Sequence, residues 1–217
     1  ARIRLDYLEP GGATTGKFLP TGEVVSSLNV EEVGKVDASL VDATTGMVFI
    51  DASNVGLSAT ESPDAIEGDV DMMARLDAIR RSAGVCMGLA NRVEDVPLTN
   101  PRIGLLASPS EFTALDGSRL APDEQDITVR ILSLNNVHRV SPLTSALCLA
   151  AASRIEGSIP NKLARQTNDN LRVGTPSGVL PVNAVVTYKG GEWHAVSATS
   201  YRTARRLMQG CVLIPKA

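Results

Sequence analysis

From Ser141 to Gly157 the chain reads SPLTSALCLAAASRIEG, and this stretch constrains the fold more than any other. Ser141 suits a helix N-cap, Pro142 the first helical position and Gly157 the stop. Between them Leu143, Ala146, Leu147, Cys148, Leu149, Ala150, Ala151 and Ala152 leave no polar face. A helix apolar nearly all round has nowhere to meet water and must be enclosed by protein. The rest of the chain has to supply the enclosure.

Short alternating or apolar runs predict strands at Ile3 to Leu8, Val36 to Asp42, Met47 to Asp51, Arg102 to Ala107, Ile127 to Leu132, Val182 to Tyr188 and Trp193 to Ser197. A second helix is predicted over Asp69 to Leu89, where Val70, Met73, Leu76, Ile79 and Ala83 recur at three- and four-residue steps. Many short strands around one small-residue helix predict an α+β fold, a sheet wrapped around a central helix. No repeat of 20 to 50 residues is visible, which argues against a solenoid or a propeller.

With 217 residues the chain can bury a sizeable core without staples. A net charge of -3 without charge runs and an aromatic content of 3% leave little to attract nucleic acid, an anionic membrane or a stacked base. Cys86, Cys148 and Cys211 are odd in number and far apart, with only His138 and His194 beside them. That pattern predicts no metal site and three free thiols in a reducing, cytoplasmic compartment. The N-terminus ARIRLDYLEP has no apolar signal segment and no initiator Met, and reads as a chain that starts mid-protein.

Three Gly-rich turns offer backbone N–H groups to an anion: PGGATTGKFLPTG at 10–22, DATTGMVFIDASNVGLSATE at 42–61 and VGTPSGVLPV at 173–182. None has P-loop spacing, since Lys17 follows a single Gly and leads into Phe-Leu-Pro. Cys148 lies about two turns into its helix on an apolar run, where the dipole has faded. It reads as a small buried hydrophobe, as do Cys86 and Cys211.

Taken together, IRLDYLEPGGATTGKFLPTGEVV at 3–25, SLVDATTGMVFIDASNVGLSATE at 39–61, CMGLA at 86–90, HRVSPLTSALCLAAASRIEGSI at 138–159, RVGTPSGVLPV at 172–182 and SYRTARRLMQGCVLIP at 200–215 resemble the PrpF family. This family comprises 2-methylaconitate, aconitate, methylitaconate and oxalomesaconate isomerases with the diaminopimelate epimerase fold. The resemblance implies two lobes, each a barrel-like, mostly antiparallel sheet around a central helix, with the active site between them. Residues 1–217 resemble the second lobe, with 1–9 and 200–217 joining it to the first. The catalytic Cys of a Cys-Gly-Asn motif and its partner Lys belong to the first lobe, which this chain lacks.

The same resemblance implies a cofactor-independent 1,3-proton shift in an unsaturated di- or tricarboxylate such as aconitate, with this lobe holding carboxylate and acting only together with the first lobe. A homo-oligomer is compatible with it. The substrate-binding candidates are Thr144, Ser145 and Ala146 at the helix start, Ser177 and Gly178 in the 173–182 turn, and Thr15, Gly16 and Lys17 in the entering loop, with His138 as an orienting group. The chain departs from the family pattern at Thr45-Gly46, where Asn-Pro is usual, at Thr175, where His is usual, and at Ser145, where Gly is usual. Those departures keep open a non-catalytic or repurposed binding subunit. An amino-acid epimerase ranks last, because it would need a cysteine where Thr144 and Ser145 stand.

Overall fold

The computed structural model describes residues 2–167, 169–211, 213 and 215. In chain order its strands and helices are β1 (Arg2–Leu8), β2 (Ser26–Val30), β3 (Gly34–Asp42), β4 (Gly46–Asp51), α1 (Pro63–Glu67), α2 (Val70–Cys86), β5 (Arg102–Ala107), β6 (Phe112–Thr113), β7 (Arg119–Leu120), β8 (Ile127–Ser133), β9 (Asn136–Val137), α3 (Leu143–Ser153), α4 (Ile159–Leu163), β10 (Leu171–Thr175), β11 (Gly178–Lys189) and β12 (Glu192–Thr203). All seven predicted strands are present. The expected joining segment 200–217 is described only in part, since 212, 214, 216 and 217 lie outside the described residues.

One sheet runs in the order β1-β12-β11-β10-β8-β5-β4-β3-β2, with β9 added to β8. Its pairs are antiparallel except β4 with β5 and β8 with β10. The path has two ends, β1 and β2, so the sheet does not close into a barrel. It curls instead: α3 touches β11 and β12 from one part of the path and β3 and β4 from another. An enclosed helix therefore needs only a curved sheet, not a closed one.

Alternation along the central strands sorts side chains to two cores. Met47 and Phe49 of β4 pack with Leu147, Cys148, Ala150 and Ala151 of α3. Val48 and Ile50 point the other way and pack with Leu76, Ile79 and Ala83 of α2. Strands covered on both faces read as continuous apolar runs, and this is why VFI and GLL look unpatterned in the sequence. Leu147 and Leu149 are fully buried, worth about 1.5–3 kcal/mol each.

Both ends of α3 differ from expectation. Pro142 takes an extended ψ of 135° and is itself the N-cap, with its carbonyl accepting from Ala146 N at 3.0 Å. Ser141 lies one residue too far out to cap, and its hydroxyl is buried without a partner. The helix stops at Ser153, before Gly157, because side chains take its last carbonyls: Ser153 Oγ donates to Ala150 O, Ser158 Oγ to Ala152 O and Asn161 Nδ2 to Ser153 O.

Val173 of β10 faces α3, and its neighbour Gly174 shows how tightly the opposite face of the sheet is packed. A Cβ there would fall 1.6 Å from Gln125 Oε1, and Gln125 is fully buried, donating to Ser110 O and accepting from Thr128 Oγ1. Gly174→Ala is expected to lower unfolding free energy by about 1–3 kcal/mol, read as a lower urea midpoint with an unchanged slope.

Candidate active site

The open end of α3 is its N-terminus. Because Pro142 is the cap, the N–H groups of Leu143, Thr144 and Ser145 have no backbone partner, whereas that of Ala146 is committed to Pro142. Of the three predicted donors, Thr144 and Ser145 remain free, Ala146 does not, and Leu143 joins them. Leu143 and Thr144 border a cavity of about 340 Å³ whose other walls include Tyr7, Glu9, Pro10, Ala13 and Thr44, whereas Ser145 is fully buried. Thr44, at φ 68°, donates from Oγ1 to Thr144 O at 2.8 Å and pins the turn to the β3–β4 connection.

Behind the turn stands Arg102, at the start of β5. Its Nη1 donates to Thr144 Oγ1 and to Ser145 Oγ, both at 3.0 Å, and its Nε is buried without a partner. Burial pulls this guanidinium below its ordinary pKa. Nothing in the sequence marks Arg102, because a single Arg at a strand start looks like a solvated edge residue.

His138 lies on the segment leading into α3, with its Nε2 2.5 Å from Ser133 Oγ and its backbone N–H donating to Ile131 O. Burial first, and then Arg102, hold its pKa below the usual imidazole value. Ser177 is tied to the same segment, donating to Arg139 O at 2.6 Å, and Gly178 completes the turn at φ 107°. Arg139 in turn is gripped by Asp64 and Glu67 of α1. The structure thus joins Ser177, His138 and the start of α3 through one short stretch of chain.

The entering loop behaves differently. Thr14 N, Thr15 N and Thr15 Oγ1 all donate to Asp42 Oδ2, at 2.8, 2.6 and 2.8 Å, and Gly16 N donates to Gly12 O. The chain's own carboxylate occupies the nest that the loop sequence suggested for a ligand. Lys17 is exposed and borders a separate cavity of about 780 Å³ beside Trp193 and His194, not the one at α3.

Each departure from the expected family pattern has a structural partner. Thr45 Oγ1 donates to Asn100 Oδ1 at 3.1 Å, Ser145 accepts from Arg102, and Thr175 Oγ1 donates to Gly178 O at 2.8 Å. Cys148 is fully buried, with Sγ 3.6 Å from Val41 O, and burial raises its thiol pKa far above the ordinary range. Cys86 and Cys211, expected to be buried, are exposed: Cys86 ends α2 on its outer side and Cys211 lies in an irregular segment.

The model of the PrpF family, described as PrpF protein, matches residues 1–215. The chain belongs to the PrpF family. It is 34% identical to the 3-methylitaconate isomerase of Eubacterium barkeri, over 98% of this chain and 56% of that protein. It is 30% identical to the 2-methyl-aconitate isomerase of Shewanella oneidensis, over 100% and 56%. The crystal structure of a methylitaconate-delta-isomerase superposes with a TM-score of 0.88 at 33% identity, over 97% of this chain and 55% of that one. The chain therefore spans a little over half the length of the PrpF relatives it matches. A probable proline racemase from Agrobacterium radiobacter K84 shares the fold at a TM-score of 0.51 and 10% identity. The α+β, diaminopimelate epimerase-like class expected from sequence is the observed one.

Two outcomes follow from the placement of these groups. In the folded protein an excess of iodoacetamide should alkylate Cys86 and Cys211 and spare Cys148, with the third adduct gained only after unfolding, as counted by intact mass. The lowered pKa of His138 means that the folded state binds its proton more weakly than the unfolded chain does. Its contribution to stability is whole above about pH 6.5 and is lost as pH falls through the folded value. Between pH 7.5 and 5, His138→Gln should therefore lose less melting temperature than the parent protein.

Proposed function

We propose that this chain is the carboxylate-holding lobe of a cofactor-independent PrpF isomerase that moves a proton between the two ends of an allylic system in an unsaturated di- or tricarboxylate. The observation that carries the reading is the first turn of α3, where N–H groups have no backbone partners and Leu143 and Thr144 border a cavity. A helix N-terminus favours an anion through its unpaired donors and its dipole. The names of the relatives, 3-methylitaconate isomerase and 2-methyl-aconitate isomerase, point to the substrate class.

In the reaction, a base removes a proton from the allylic carbon, and the electron pair spreads through the double bond into the adjacent carboxylate. The same proton equivalent returns at the far carbon, so that the double bond moves and no atom is gained or lost. Donors aimed at the carboxylate stabilise the charge as it develops. Cys148 is sealed in the core, so we assign the acid–base pair to the portion of the relatives that this chain does not match.

An exposed edge supports a second lobe lying against this one. β1 ends the sheet with Ile3, Leu5 and Tyr7 each 38–39% exposed and Leu8 76% exposed. A strand of this length with open backbone groups and apolar side chains invites a covering surface. Residues 1–9 and 200–217 are the segments that we assign to the junction. Cytoplasmic location belongs to the same reading and is supported by three unpaired thiols.

The test is deuterium uptake from D₂O into aconitate or methylitaconate, followed by proton NMR. The chain joined to a PrpF first lobe should exchange, and the chain alone should not. Exchange by the chain alone would overturn the need for a second lobe. Silence of the joined protein with every such acid would overturn the isomerase reading and favour a binding subunit.

A further inference from the structure

Arg102 poses an electrostatic problem. It places a cation at the positive end of α3, where a helix disfavours positive charge. Among the described residues no carboxylate forms an ion pair with it. Its Nε and the hydroxyl of Ser141, which is 6% exposed and adjoins the cap, are both buried without partners. Buried groups of this kind cost stability unless a partner arrives.

The direction of the Arg102 hydrogen bonds supplies the second step. A guanidinium only donates, so Thr144 Oγ1 and Ser145 Oγ must be the acceptors. Each hydroxyl then has its own hydrogen left to give, and neither donates to any group among the described residues. Leu143 and Thr144 line the cavity while Ser145 is fully buried behind them, so the donors at the cavity wall are the N–H groups of Leu143 and Thr144 and the Thr144 hydroxyl, with a charge behind them.

We infer that Arg102 is a positioning residue that makes the Thr144 hydroxyl a donor at the mouth of α3, so that this turn selects an ionised carboxylate over its uncharged amide. The inference rests on the carboxylate-holding reading above and deepens it. A carboxylate accepts at every lone pair, whereas an amide presents an NH₂ group to donors and leaves bonds unmade, a mismatch that sites of this kind reject strongly.

The distinguishing mark is that affinity and stability move in opposite directions. Replacing a half-buried charge that has no ion-pair partner and a buried, unbonded Nε by an apolar side chain of similar length is expected to be neutral or stabilising for the empty protein. Losing charge-assisted donors weakens anion binding, by about tenfold or more. Calorimetric titration of this chain with itaconate and with its diamide is the experiment, on the parent protein, Arg102→Met and Arg102→Lys.

The parent should bind itaconate and not the diamide. Arg102→Met should bind itaconate at least about tenfold more weakly with an equal or higher melting temperature, and Arg102→Lys should recover part of the affinity. Arg102→Met binding within about twofold of the parent, or a fall in melting temperature with affinity kept, would overturn the positioning role alone. A parent protein that binds no itaconate would remove the carboxylate-holding reading itself, and this inference with it.

Discussion

Every side of α3 is apolar, so each of its flanks must be covered, and the rest of the architecture follows from that demand. The sheet curls until β3 and β4 face one flank and β11 and β12 another. Ser158 and Asn161 fold back over the C-terminal carbonyls. What remains uncovered is the first turn, whose N–H groups no part of the helix can satisfy. The candidate site is thus the one place where enclosure of the helix is incomplete.

Two turns with backbone N–H groups free of helix or sheet partners lie near that place and have opposite fates. In the loop at 12–16, Asp42 supplies the carboxylate internally and fastens the loop to β3. At the start of α3, Arg102, Thr144 and Ser145 gather positive charge and donors with no acid among them. The first turn is satisfied from within the chain; the second has no such internal partner. Both use the same chemistry, exposed backbone N–H groups, and only the presence of an internal partner separates them.

Much of this was legible in the sequence, and the limits have physical causes. The central helix and the strands were visible because periodicity reports local burial, and β4 and β5 even show the unpatterned runs of strands covered on both faces. In the sequence β10 looks like part of a turn because Gly174 sits inside it, although that glycine is there to let Gln125 approach. Ser141 looked like the cap because a serine before a proline usually is one, but the cap is decided by the ψ of Pro142. That one-residue shift took Ala146 out of the donor set and brought Leu143 in. Arg102 was illegible because its importance lies in what is absent around it, and a missing acid partner has no sequence signature.

The two cores on opposite faces of the sheet also divide the protein's evolutionary freedom. Substitutions in the α2 layer, around Leu76, Ile79 and Val48, act on folding without touching the cavity. Those around the mouth of α3 alter the cavity wall, while the α2 core lies out of their reach. A lineage built this way can vary the residues around the cavity in small steps, because the α2 layer contributes to folding without lining it.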